Sequence, residues 1–282
     1  MEHHSKRNFT KNFVQVLIYI ILIFGSIISL FPFYWMASSS FKPEWEIFRQ
    51  PPSIIPSSVT LENYLTVFER VKVLRMCLNS VFVSISRGII NLIISLLTAY
   101  ALVKLRFPGK NILFSLVLFF MMLPFQLFLV PLFLLMDRYG WMDTYQAIIL
   151  PVAVTSFSIF LLRQALLSVP NDYIEAAKID GANQFYILFK IVTPMIRSII
   201  WTVIIVNFYW SWNDFIWPNA VIVHNEMAPL PVGLFRFFAN QQSSPRWGPI
   251  LAFSTLVALP IIVIFIIAQE QFIEAMTTAG LK

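Results

Sequence analysis

Two groups of residues in this sequence have the types and spacing to do something specific. The first is the octet Glu175-Ala176-Ala177-Lys178-Ile179-Asp180-Gly181-Ala182, preceded by Pro170-Asn171-Asp172 and followed by Asn183. Asp172 is suited to N-cap a helix, and Glu175, three residues on, to reach back to the cap's own N–H. Ala176, Ala177 and Lys178 favour helix, and Gly181 accepts the left-handed backbone that ends one. Asn183 suits the cap of a second short helix running toward Pro194. The pattern predicts a helix of about two turns, near 10 Å long, then a sharp turn. Small Ala side chains on a short rigid helix suit docking in a groove of another protein. The same residues also suit an amphipathic helix that only packs against its neighbours.

The second group is polar and lies within apolar sequence. Arg87 is followed one turn later by Asn91, and Asn207, Trp210, Ser211 and Asp214 recur at i, i+3, i+4 and i+7. That spacing puts the last four on one helix face. Ionisable groups in apolar surroundings are costly and face a protein interior or a cavity. Two roles fit them: a lining for a solute path, with Arg87 paired to Asp214 or to a partner subunit, or an interhelical hydrogen-bond network.

No set of residues reads as catalytic. The only approach to a phosphate cradle is Gly109-Lys110, but Asn111 follows it and Lys104 stands where the first Gly should be. His3 and His4 lie at a polar terminus and His224 stands apart, so no metal site is expected. The lone Cys77 matches no disulfide or metal-ligand spacing.

These residues must be held by membrane helices. The chain has 282 residues, 58% hydrophobic and only 12% charged, with a mean hydropathy of +0.75. A soluble domain carries about 25% charged residues to face water. A soluble enzyme, a disordered tail and a secreted disulfide scaffold are thereby excluded. The net charge of +6 is explained by basic loops on the cytoplasmic side of a membrane rather than by nucleic acid.

A span needs about 20 apolar residues, and six stretches qualify: Phe13–Met36, Leu78–Val103, Ile112–Met136, Tyr145–Leu167, Ile196–Ala220 and Pro249–Ala268. Pro124 and Pro131 are expected to kink the third. The first is too long for a signal peptide and ends in Pro-Phe-Tyr-Trp-Met rather than a cleavage site. Lys104, Arg106 and Lys110, with no acid among them, place that loop inside and both termini with it. The expected organisation is a cytoplasmic N-terminus over 1–12, a six-span domain over 13–268 and a cytoplasmic tail over 269–282. Outer loops cover 37–77 and 221–248, and a cytoplasmic loop covers 168–195.

The octet, continuing through Phe185 and Ile191 to Pro194, resembles the EAA motif of ABC-importer permease subunits. The surrounding segments are similar to carbohydrate-uptake permeases of the type of the maltose transporter's smaller membrane subunit. They include Leu123-Pro124-Phe125-Gln126, Ile149-Leu150-Pro151 and Ile159-Phe160-Leu161-Leu162-Arg163-Gln164. Trp212-Asn213-Asp214-Phe215, Leu230-Pro231-Val232-Gly233-Leu234 and the tail Thr277-Thr278-Ala279-Gly280-Leu281-Lys282 follow in the family's order. Thr193, Ser198 and Ala275 depart from its usual Leu, Pro and Gly.

The resemblance implies an all-α integral membrane protein with the ABC importer type I permease fold, in the plasma (inner) membrane of a prokaryote. It implies import of a sugar or oligosaccharide, with no enzymatic activity and no cofactor of its own, since ATP binds the partner ATPase subunits. The implied partners are a second permease, two ATPase subunits, an extracytoplasmic solute-binding protein and membrane lipid. Glu175, Ala176, Ala177, Asp180, Gly181 and Ala182 would form the ATPase coupling contact. In the maltose system the stretch matching Val221–Gly248 reaches the binding protein, so Phe235, Phe237, Phe238, Asn240, Gln241 and Gln242 would meet it, aromatic faces to sugar rings and amides to hydroxyls. An aromatic belt at the membrane surface is the plainer role for the same residues. Two other functions remain open: a secondary transporter working without an ATPase, and an ABC permease for a polyol or glycerol phosphate.

Overall fold

The computed structural model describes residues 2–241 and 245–280, with side chains for 14–241, 245–267 and 269. Among them the regular structure is helical throughout, in this order: α1 (Glu2–Ser40), α2 (Glu44–Ile47), α3 (Glu62–Arg70), α4 (Val73–Lys104), α5 (Lys110–Met122), α6 (Gln126–Arg138), α7 (Tyr145–Ile149), α8 (Ser156–Leu167), α9 (Asn171–Ile179), α10 (Gln184–Tyr186), α11 (Thr193–Met195), α12 (Arg197–Trp212), α13 (Ile216–Val221), α14 (Leu230–Ala239) and α15 (Trp247–Gly280). A 3₁₀ turn over Leu150–Val152 extends α7, and a π-helix over Ile187–Val192 joins α10 to α11.

Three helices are long and apolar enough to cross a membrane unaided: Val14–Ser40, Val73–Lys104 and Trp247–Ile267. The other three spans are bent pairs. α5 and α6 meet at 102° across Leu123–Phe125, where Pro124 cannot donate a helical hydrogen bond. Pro131 lies inside α6 without breaking it, so the break in this span falls at Pro124. α7 with its 3₁₀ extension meets α8 at 44°, and the 184–195 segment meets α12 at 87°. Side-chain caps start α7 and α8: Thr144 Oγ1 accepts from the Ala147 N–H and Thr155 Oγ1 from the Ser158 N–H, both at 3.3 Å.

The structure corrects several expected boundaries. The fifth span ends at Trp212 rather than Ala220, because Asn213–Phe215 leave the helix before α13 begins. The two long connections are not loops throughout: 37–77 contains α2 and α3, and 221–248 contains α14. Pro231 stands second in α14, in the first turn, where the missing N–H costs no bond.

The chain forms two compact units. The smaller comprises residues up to Val71 with Phe237–Leu256. In it Lys42, 1% exposed, donates to Ser53 O at 2.6 Å and lies 4.4 Å over the Trp35 ring. Glu46 Oε1 accepts from Ser53 Oγ and from the Ser57 N–H, both at 2.7 Å. Burial alone would raise this carboxyl, but those hydrogen bonds hold it down at about 2. The Glu44 carboxylate accepts from the N–H groups of Trp247 and Gly248 at 2.8 and 3.0 Å, capping the start of α15. Gly248 is required there, since a Cβ would come within 2.3 Å of Asn63 Oδ1.

The larger unit comprises Lys72–Arg236 and the chain from Val257 onward. Its core is the packing of α4 against α8 and α12. Leu96, Ala99, Leu162, Leu166 and Val203 fill the contact, together with Ile187 and Leu188 of the π-helix.

Candidate functional site

A cavity of about 610 Å³ opens in the larger unit, walled by the bent helices. Arg87, Asn207, Trp210, Ser211 and Asp214 line it. The sixth residue predicted for this group, Asn91, lies outside the lining. It is fully buried and donates from Nδ2 to Ala153 O at 2.9 Å and to Thr155 Oγ1 at 3.3 Å, which fixes the bend before α8.

Arg87 is committed on every side. Nη1 reaches Asp214 Oδ2 at 2.7 Å, while Nε and Nη2 donate to Ile148 O at 3.2 and 2.7 Å. Its side chain is 7% exposed and that of Asp214 20%. Asp214 also accepts the Trp217 N–H through Oδ1, so its position past the end of α12 serves the start of α13. Asn207 Nδ2 donates to Ser158 Oγ at 2.9 Å and back to Val203 O. Ser211 Oγ is buried and has no protein partner. Trp210 is exposed and packs on Phe157, ring centroids 5.3 Å apart.

The cavity's other walls were not anticipated. Phe120, Phe125 and Phe128 come from the two sides of the Pro124 break, and Pro151 to Ser156 from the break before α8. Pro124 and Pro151 are the sequence signals that mark these walls, because irregular backbone at membrane depth is tolerated where it lines a cavity.

The octet forms α9 and its turn. The helix starts after Pro170 with no side-chain cap, so Asp172 sits inside the first turn rather than at the N-cap. Pro170 leads into the helix, and Asn171 Oδ1 accepts from Lys104 Nζ at 2.9 Å. The end is as expected. Gly181 has φ +79°; its N–H bonds Lys178 O at 3.0 Å, and the Ala182 N–H bonds Ala177 O at 2.9 Å, a Schellman motif. Asn183 Oδ1 then accepts the Tyr186 N–H at 2.8 Å.

Ile174 and Ala177 are buried in the core of the unit. Glu175, Ala176, Asp180 and Gly181 are exposed, and Ala182 is half-buried. Ala177 therefore faces inward, and its small side chain lets α9 lie close to the helices beneath. A second cavity, about 560 Å³, is lined by Ala177, Asp180 to Asn183, Tyr186 and Lys190. Two side chains of α4 hold this region: Lys104 Nζ donates to Val169 O at 2.7 Å as well as to Asn171, and Tyr100 Oη to Gln184 Oε1 at 2.8 Å.

The third predicted set lies on and after α14. Phe235 is exposed and packs on Phe215 at 4.9 Å. Phe237 is 6% exposed and packs edge-on to Phe253, which gives it a core role. Phe238 and Asn240 are exposed, and Gln241 Oε1 accepts the Arg246 N–H at 3.2 Å. Gln242 lies outside the described residues. The connection before α14 is held by Arg236, which donates to the carbonyls of Ile222 and Val223 and to Asn225 Oδ1. Asp143 completes the hold, accepting the N–H groups of Val223 and His224 and pairing with the His224 ring. Burial would raise the Asp143 carboxyl, but these bonds and the nearby imidazole keep it below the usual aspartate range.

A helical bundle with broken spans around a cavity defines a multi-pass membrane transport protein. Residues 91–277 match the family described as binding-protein-dependent transport system inner membrane component, and the chain belongs to it. It is 34% identical over 262 residues to the arabinooligosaccharides transport system permease protein AraQ of Halalkalibacterium halodurans, covering 92% of this chain and 93% of that one. To AraQ of Bacillus subtilis it is 32% identical, covering 91% and 92%. To the sn-glycerol-3-phosphate transport system permease protein UgpE of Brucella abortus it is 29% identical, covering 92% and 94%. The fold matches that of a solved chain from a bacterial ABC transporter involved in import of the acidic polysaccharide alginate, with TM-score 0.80, 22% identity and coverage of 93% and 97%. The chain is thus an inner-membrane permease with the ABC-importer permease fold, a transport protein rather than an enzyme.

Proposed function

We propose that this chain is one of two permease subunits of an ATP-driven importer that receives a neutral sugar or oligosaccharide from an extracytoplasmic binding protein. Both termini and the 168–195 loop face the cytoplasm, and the chain divides into the 1–12 terminus, the 13–268 span domain and the 269–282 tail. α9 docks in the ATPase through Glu175, Ala176, Asp180, Gly181 and Ala182, while Ala177 seats the helix. Phe235, Phe238, Asn240 and Gln241 stand on the binding-protein side.

The observation that carries this reading is α9 itself, a two-turn helix anchored by Ile174 and Ala177 with its Glu175–Ala176 face exposed. The cavity supports a neutral cargo. Arg87 is the cation among its lining residues, and Asp214 and Ile148 O already occupy it. Trp210 and the phenylalanines offer flat faces for sugar C–H surfaces, and Ser211 Oγ an unused hydroxyl. The same pairing argues against proton-coupled carriage through Asp214, the carboxylate among the lining residues, because Arg87 already holds it.

The test is solute-stimulated ATPase activity of the complex reconstituted with both permeases, ATPase and binding protein. Glu175→Lys reverses the charge at the docking face, and Gly181→Pro forbids the positive φ of the turn. Loss of stimulation in both, with assembly retained, is the expected result. Stimulated activity equal to wild type in both would overturn the coupling role.

A further inference from the structure

The side chains that hold α9 in place come from a helix that also reaches the cavity. Tyr100 and Lys104 are one turn apart on α4, so they share a face. Tyr100 Oη binds Gln184, just after the turn that ends α9. Lys104 Nζ binds Val169 O and Asn171 Oδ1, at the point where α9 starts. Between them they bracket the helix at both ends. α9 also has local ends of its own, Pro170 before it and the Gly181 turn after it, while Asn183 caps α10 beyond.

Further along the same helix, Asn91 holds the backbone at Ala153 and Arg87 holds Ile148 O and Asp214. From Lys104 to Arg87 the rise is about 25 Å at 1.5 Å per residue. α4 is unbroken over that length, while the elements it grips at its two ends are separated by bends. A continuous helix transmits a rigid-body displacement that a bent pair absorbs at its joint.

We propose that Tyr100 and Lys104 are positioning residues for energy coupling: they fasten both ends of α9 to α4, so that a movement of the docked helix reaches the Arg87 end of the cavity. The proposal rests on α9 being the ATPase contact. Coupling of this kind is a free energy shared between two sites; its functional readout is the solute moved per ATP hydrolysed.

The experiment uses the full reconstituted complex and measures solute taken up per ATP hydrolysed. Tyr100→Phe removes only the hydroxyl and keeps the buried ring; Lys104→Met removes the ammonium and keeps the stem. In the double variant we expect transport per ATP to fall roughly 5-fold or more, the low end of typical coupling ratios, with basal hydrolysis and the thermal melting of the complex unchanged. Lys104→Arg, which can still donate to Val169 O and Asn171, should restore most of the ratio. A role confined to stability would lower melting and leave the ratio intact. If the double variant does not assemble, each single variant is judged by the same ratio. An unchanged ratio beside an uncoupled Gly181→Pro overturns the bracket and leaves the docking role standing. An unchanged ratio in all of them removes both.

Discussion

The helix α9 and its turn are shaped by bonds between residues three to five apart, such as Gly181 N–H to Lys178 O and Ala182 N–H to Ala177 O. The cavity is shaped by bonds between residues 61 and 127 apart, those of Arg87 to Ile148 O and to Asp214. The two kinds of site fail differently. A local turn loses its own geometry when a residue changes and little else. A cavity closed by a long-range pair loses the relative placement of whole helices, and an unpaired guanidinium is left in an apolar interior. One region can therefore be tuned by single substitutions, while the other responds as a block.

The sharpest way to break that comparison is Arg87→Leu. Removing one partner of a buried pair typically costs 3–5 kcal/mol. Asp214 is still a fifth exposed, so we expect the low end, about 3 kcal/mol, read as a lower melting temperature of the purified complex. Arg87→Leu with Asp214→Leu should recover much of the loss, because the pair's desolvation cost disappears with it. A double variant as unstable as the single one would show that the pair does more than hold α4 and α13 in place.

A smaller effect is expected from Asn183→Ala, which deletes the cap accepting the Tyr186 N–H. The loss should be about 1 kcal/mol and confined to the turn. Hydrogen exchange should quicken at 184–187 and remain as in wild type along α4 and α12. Faster exchange in those long helices would show that the local turn is no more independent than the cavity.

The smallest effect concerns Glu46 in the other unit, whose carboxyl is held at about 2 against an ordinary value of 4.5. A depressed carboxyl contributes its full stability above about pH 4.5, and that contribution is lost as pH falls toward 2. Melting of the wild type should therefore decline more steeply than that of Glu46→Gln between pH 5 and pH 2.5. Parallel curves would sink the assignment.

The same contrast decides what the sequence shows in advance. Gly181, Asn183 and the two-turn length of α9 follow from residue types a few positions apart, and the structure has all three. Asp172 was read as the cap because it precedes Glu175 by three residues, but the helix starts two residues earlier, after Pro170. Asn207, Trp210, Ser211 and Asp214 were grouped by helical period. They do share a cavity, although Asp214 reaches it from beyond the helix end. What the period could not show was that Asn91 braces a bend while Arg87 lines the space, since both fall on the same face of α4.

Arg87 also has a history to get through before its partners exist. The chain is made from the amino end, and Asp214 follows it by 127 residues. At roughly 5–20 residues per second that interval is on the order of ten seconds. An arginine at the centre of a span costs about 2.5–3.5 kcal/mol to insert, and each Leu, Ile or Val lowers the total by about 0.3–0.6. The long run of Ile and Leu that follows Arg87 in α4 is what allows the helix to enter the bilayer during that wait. Those apolar residues, exposed at Ile89, Ile93 and Ile94 and packed in the core at Leu96, set whether the newborn chain is retained in the membrane at all.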